Sequence, residues 1–217
     1  MTEKGAATPP GTRDRILDVA ERLFGERGYA ATSTRAVTEA AGANVAAVNY
    51  HFGSKEGLLR AVVGRAMRPV NEERQRLLDD FLAGEAKPEV PDLVGAFVRT
   101  GANLTRQRRD GTPAVVRLLG RVMVEPDPEI RHLFAQEVET VEGRYLEELI
   151  RALPALSPDE VTFRYRVMVG LLALHQAGAL ADLAPHGVPA RSAPEPTEPD
   201  KETERLVDAV LAVFQGA

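Results

Sequence analysis

Several residues in this chain are of types that do chemistry, and most lack the partners that chemistry requires. His51 could ligate a metal, but no second His, Asp or Glu stands at ligand spacing around it. Asp127, Glu129 and Glu137 could work as acid and base, yet no nucleophile or metal motif accompanies them. The chain has no cysteine, which removes disulfides and thiolate metal sites and suits a reducing cytoplasm. Arg106, Arg108 and Arg109 read as a solvated helix end favoured by the helix dipole. His175, in an apolar stretch, reads as a core histidine with a second reading as a polar anchor for a ligand. No catalytic residue, metal or cofactor is expected, so the chain does not read as an enzyme.

What remains is a set suited to recognition rather than reaction. Arginine matches the O6/N7 edge of guanine, asparagine the N6/N7 edge of adenine, and an alanine methyl rests on a thymine methyl. Arg35, Ala46, Ala47 and Asn49 supply those types, and Lys55 opens a helix whose free N–H groups favour a phosphate. The elements that must position them are helices, since alternating β-branched segments are absent and aromatics make up only 5%.

The first helix is predicted over residues 12–27, with Ile16, Leu17, Ala20, Leu23 and Phe24 on one face, Thr12 as N-cap and Gly28 as stop. A short second helix starts near Ser33 and Thr34 and ends at Gly42, and a third covers 44–51. Two short helices joined by a tight glycine turn and braced by a longer one form a helix-turn-helix. Here Gly42 and Ala43 are the turn, and the small Ala41 lets the helices approach. On the third helix Val45, Val48 and Phe52 are expected to pack inward. Ala46, Ala47 and Tyr50 then point away, flanked by Asn49 and His51, a face that makes sense against a DNA groove.

The stretch from Thr32-Ser33-Thr34-Arg35 to Ala41-Gly42, followed by Val48-Asn49-Tyr50-His51-Phe52-Gly53-Ser54-Lys55-Glu56-Gly57-Leu58-Leu59, resembles the signature of the TetR family of bacterial transcriptional regulators. Ala20-Glu21-Arg22-Leu23-Phe24 with Gly28-Tyr29 is similar to that family's first helix. The resemblance covers residues 12–59. It implies that Thr34 and Arg35 touch backbone and base edges, that Val45, Ala46, Ala47 and Asn49 face bases, and that Tyr50, His51 and Lys55 contact phosphates of double-stranded DNA. Ala46 and Ala47 offer no hydrogen bonds, which concentrates the expected base reading on Arg35 and Asn49 and leaves the rest to DNA shape.

Ser54 caps a long fourth helix carrying Leu58, Leu59, Val62 and Val63; Pro69 is expected to bend it before the pattern resumes through Leu77, Leu78, Phe81 and Leu82. A loop over 84–91 is followed by helices at 92–108, 113–124, 128–153 and 158–180, a flexible proline-rich loop at 185–200 and a last helix at 201–214. The organisation expected is all-α: a disordered arm over 1–11, a three-helix helix-turn-helix domain over 12–58, and a helical ligand-binding and dimerisation domain over 59–217.

Charge divides the same way. Residues 12–68 hold nine basic and six acidic side chains, and residues 69–217 hold seventeen and twenty-five, so a basic end sits on an acidic body. The longest apolar run, residues 167–174, is too short to span a membrane, and a cytoplasmic protein without membrane contact is expected.

The resemblance further implies a homodimer paired through the last two long helices, whose apolar content exceeds what one buried face needs. It also implies an effector pocket. Phe97, Gly101, Leu104, Leu118, Val122, Tyr145, Met168, Leu171 and His175 are its candidate walls, which suit a small, largely apolar effector. The expected function is repression at a palindromic operator relieved by that effector. A vestigial reader on a small-molecule-binding protein, or an activator, are the other readings. The intact Tyr50-His51-Phe52 and Lys55 set speaks against the first of these.

Overall fold

The computed structural model describes residues 11–105, 113–123, 125–177 and 199–215. Among them the chain is all-helical. α1 (Thr12–Arg27), α2 (Thr34–Ala40) and α3 (Val45–Phe52) form the N-terminal unit. α4 (Lys55–Ala83) leads out of it into α5 (Val90–Ala102) and a 3-10 turn (Asn103–Thr105). α6 (Pro113–Met123), α7 (Pro128–Ala152), α8 (Pro158–Ala177) and α9 (Pro199–Gln215) complete the body. No described helix is long and apolar enough to cross a membrane.

Local chemistry sets most boundaries. Ser33, Asn44 and Ser54 each cap a helix by accepting from the backbone N–H three residues on, at 3.1, 2.9 and 3.0 Å. Gly28, Gly42 and Gly53 sit at φ of 86°, 60° and 75°, where a β-carbon is strained, and so end α1 and close the two turns around α3.

Some expected ends move. Gly11, not Thr12, is the N-cap of α1; Thr12 enters the first turn, where its Oγ1 accepts from Arg15 Nη2 at 3.3 Å. α5 begins at Val90 rather than residue 92, because Pro91 fits a first turn that has no use for its N–H, and Asp92 Oδ2 accepts from the Glu89 N–H at 3.0 Å. Pro199 opens α9 by the same logic, which moves Pro199 and Asp200 out of the expected loop. α4 runs unbroken through Pro69, whose ring faces solvent, so the hydrogen bond it forfeits falls on the wet side. Residues 1–10, Arg106, Arg108, Arg109 and residues 185–198 lie outside the described residues.

The buried apolar side chains fall into two clusters. One joins α1–α3 and the first half of α4 to α6 and the start of α7, through Ile16, Phe24, Val37, Val48, Val62, Leu118, Val122 and Phe134. The other fills the space among the end of α4, α5, the second half of α7, α8 and α9, around Leu78, Phe97, Tyr145, Met168 and Val210. α1–α3 and α6 therefore share one core.

Candidate nucleic-acid interface and interior cavity

α3 is held rigidly at both ends. Its start is fixed by the Asn44 cap and its end by the Gly53 N–H donating to Asn49 O at 3.0 Å. Val48 is fully buried, with Phe52 half-buried against the same core. α2 is tied below it by the Ala43 N–H, which donates to Thr38 O at 2.9 Å. The opposite side is open: Ala46, Asn49 and Tyr50 are exposed, Tyr50 to 84%. A tyrosine that exposed gains little from the fold beyond a ring contact with His51 and is open to a ligand. His51 is half-buried between two rings, 4.9 Å from Tyr50 and 6.0 Å from Phe52.

Two positions depart from the expected wheel. Val45 is 44% exposed rather than inward, and Ala47 is half-buried against the core rather than outward. Residues 44–46 are all exposed, so the first turn of α3 stands past the edge of the three-helix core and Val45 has nothing to pack on.

The flanking residues are less free than the open side of α3. Thr34 is half-buried at the start of α2. Arg35 is exposed, and its Nε donates to Glu39 Oε1 at 2.8 Å, one turn further along α2. Lys55 is half-buried; its Nζ donates to Tyr29 O at 2.8 Å and lies 4.0 Å from the centre of the Tyr29 ring. Burial lowers its pKa from the ordinary lysine value. Tyr29 Oη in turn donates to Glu56 Oε1 at 2.8 Å. Lys55 thus pins the start of α4 to the loop after α1.

The body encloses a cavity of about 20 Å³, room for roughly one water. Its wall is mostly apolar, with Met67 and Val70 from α4, Phe97 from α5, Leu119 from α6, Phe134 from α7 and Leu172 from α8. Of the expected wall residues, Phe97, Gly101 and Leu104 line it. Leu118 and Val122 are buried one position away, because α6 turns Leu119 and Met123 to the cavity. Met168 is core, while Leu171 and His175 are half-buried on α8 away from the wall. The Tyr145 hydroxyl is spent on Arg74 O, to which it donates at 2.9 Å.

The polar members of the wall were not expected: Arg74, Glu142 and Gln176. Arg74 is 2% exposed and lies 3.5 Å from the centre of the Phe97 ring. Its Nε donates to Thr100 Oγ1 and its Nη2 to Phe97 O, both at 3.1 Å. A β-carbon on Gly101 would stand 3.0 Å from Arg74 Nη2 and 2.6 Å from Leu172 Cδ2, so the bare glycine makes room for the guanidinium. The sequence did carry a signal, since Arg74 falls on the stripe of Met67, Val70 and Leu78, where the helical period puts apolar residues.

Residues 16–62 match the family described as bacterial regulatory proteins, tetR family, and residues 95–213 match the tetracyclin repressor-like C-terminal domain. The second match alone spans more than half of the chain. The chain belongs to the TetR family. Among relatives, it is 29% identical over 160 residues to the transcriptional dual regulator CecR of Shigella flexneri, covering 70% of this chain and 67% of that one. It is 32% identical over 139 residues to the transcriptional repressor KstR2 of Rhodococcus jostii, covering 64% and 58%. The chain thus spans about two thirds or less of the curated relatives it matches. Its fold is that of the TetR family regulator PfmR from Thermus thermophilus, with a TM-score of 0.60, 20% identity, and 96% and 98% of the two chains covered. Membership of the TetR family makes the protein a DNA-binding transcriptional regulator, in a family of regulators rather than enzymes.

Proposed function

We propose that this regulator is a cytoplasmic repressor that holds a palindromic operator as a homodimer and releases it when a small, largely apolar effector enters the interior cavity. The observation that carries the reading is the shared core. Filling a cavity this small must push on Leu119 and Met123 of α6, and α6 packs on α1, which braces the reading helix. α4 offers a second route, since Met67 and Val70 line the cavity on the helix that leaves the reading domain. In this reading Ala46 and Asn49 face bases with Val45 and Ala47 at the edge. Thr34 and Arg35 reach backbone and base, and Tyr50, His51 and Lys55 lie along phosphates.

A second copy is favoured by α8. Its inner side buries Val161, Tyr165, Met168 and Leu172, and its opposite side is apolar too, with Phe163 61% exposed above Val167, Gly170, Leu171 and Leu174. A helix apolar on both sides needs cover on both. A two-fold pair through this face reads two half-sites about 34–36 Å apart, which one eight-residue helix cannot do alone. Repression is favoured over activation because KstR2 is a repressor, as is the Escherichia coli protein ComR, 47% identical over 53 residues. CecR, a dual regulator, keeps activation as the alternative at other sites.

The test is a mobility shift on the DNA upstream of its own gene across a salt series. Tight binding to one palindromic site, weakening steeply with salt, is expected. Only weak binding that ignores sequence, on that DNA and in a genome-wide selection alike, would overturn the reading.

A further inference from the structure

The cavity contains a cation whose bonds are unfinished. Arg74 is buried, yet only its Nε and Nη2 are engaged. Nη1 stands 4.0 Å from Glu142 Oε1, beyond hydrogen-bond range, and makes no hydrogen bond among the described residues. A guanidinium removed from water with donors left over is costly, and the structure tolerates this one beside a space that something else can enter. Nearby, Tyr165 Oη is buried beside the Glu142 carboxylate without a well-formed hydrogen bond to it. Gln176 joins the wall, its Nε2 donating to Gly101 O at 3.0 Å. Everything else lining the cavity is apolar.

Resting on the effector-released reading above, we propose that the effector carries a single carboxylate on an apolar body, and that the carboxylate accepts the free Nη1 donors of Arg74. A ligand carboxylate can take the place of Glu142 as the partner of Arg74. A phosphate-like dianion would bury an uncompensated charge, and a neutral molecule would leave the loose Arg74–Glu142 pair as it is and Nη1 without an anionic acceptor. Glu142 is the competitor already in place. The charged or titratable groups around it are Arg74 from α4 and Tyr165 from α8, with Tyr145 of its own helix bonded to the Arg74 backbone. Burial pushes the Glu142 carboxyl up from its ordinary value, against the pull of Arg74. When the ligand carboxylate arrives, Glu142 takes a proton from solvent, and the site stays neutral overall with one guanidinium, one carboxylate and one carboxylic acid. Binding is therefore linked to proton uptake and tightens as pH falls, over the range where the ligand itself stays ionised.

The experiment is calorimetric titration of the full-length protein with decanoate and with phenylbutyrate, each beside its primary amide and its alcohol, at about pH 6 and about pH 8. Expected is that at least one carboxylate binds about tenfold or more tightly than its neutral partners, more tightly at the lower pH, and with net proton uptake. In Glu142→Gln, which keeps shape and folding but cannot titrate, that carboxylate binds with little pH dependence and no proton uptake. Arg74→Gln, if folded, loses the preference for carboxylate over amide. Equal binding of acid, amide and alcohol, or no binding of either carboxylate to protein that still grips DNA, overturns the inference and leaves the regulator reading intact. Carboxylate binding that never releases operator DNA upholds the inference about ligand chemistry and overturns the release reading instead.

Discussion

Gly25 of α1 and Ala114 of α6 meet backbone to backbone: a β-carbon on Gly25 would stand 2.2 Å from the Ala114 carbonyl oxygen. No side-chain rotation relieves that contact, because both partners are main chain. It brings the helix bracing the reading head against the helix lining the cavity. Arg121 of α6 adds to the joint by donating from Nη1 to Glu26 O at 3.1 Å.

Gly25→Ala should therefore force α1 and α6 apart. Overpacking of this kind costs about 1–3 kcal/mol, which for a chain of this size lowers Tm by about 2–4 °C per kcal/mol. The same variant should bind operator more weakly and respond less to effector, since the joint that carries the push has been loosened. Thermal melts and mobility shifts with and without effector check both effects. A variant with the wild-type Tm and a normal response would show that α1 and α6 separate freely, and the proposed route would fail.

Much of this was legible in the sequence, and the reasons differ by element. The span of α1 was readable from its apolar period and the Gly28 stop, although its cap is Gly11 and not the expected Thr12. Ser33 and Ser54 announced α2 and α4 through capping chemistry. The position of α3 was legible because Val48, Asn49 and Tyr50 sit in a dense motif. The cavity wall was not. In α6 the adjacent apolar pairs Leu118–Leu119 and Val122–Met123 fit either rotation of the helix, and only packing against α1 and α8 decides which member faces the space. Val45 was misplaced because nothing local tells where a three-helix core ends. Arg74 and Glu142 were visible as charges on apolar stripes, but their meaning depends on α4 and α7 being brought together, which no periodicity states.

Arg35 and Glu39 suggest a second test. Both side chains are largely exposed, so their pairing at 2.8 Å is weak and screened by salt. Binding DNA through Arg35 means breaking that pair and bringing the Glu39 charge toward phosphates. Glu39→Gln should raise operator affinity by up to about fivefold at low salt. Arg35→Ala should lower affinity by more than that. Mobility shifts on the same fragment measure both. If Arg35→Ala binds like wild type, Arg35 is not part of the interface.

Glu142 makes the stability of the empty protein depend on pH in a predictable sense. Its carboxyl is raised by burial, so the folded chain holds this proton more readily than the unfolded one. Its contribution is fully present below the ordinary value of 4.5 and is lost as pH rises through the higher, folded value. Glu142→Gln lacks that titration. The wild type should therefore lose Tm relative to the variant as pH rises from about 4 to about 8. Parallel Tm curves for the two proteins would mean that Glu142 titrates normally and is not held in a low-dielectric site.

The outer face of α8 decides the assembly. Phe163 is too exposed for its ring to hold the single chain together, so Phe163→Glu should fold, while a second copy approaching through this face would meet two like charges near a two-fold axis. Light scattering should then give the mass of one chain where the wild type gives two. Operator affinity should fall by about a hundredfold or more, because each half-site must be bound without the effective concentration that pairing supplies. Phe163→Leu, which keeps the apolar face, should remain paired and bind normally, separating lost apolar contact from added charge. A Phe163→Glu protein that stays dimeric with full affinity would place the two-fold axis on another surface, and the reading of α8 would have to be abandoned.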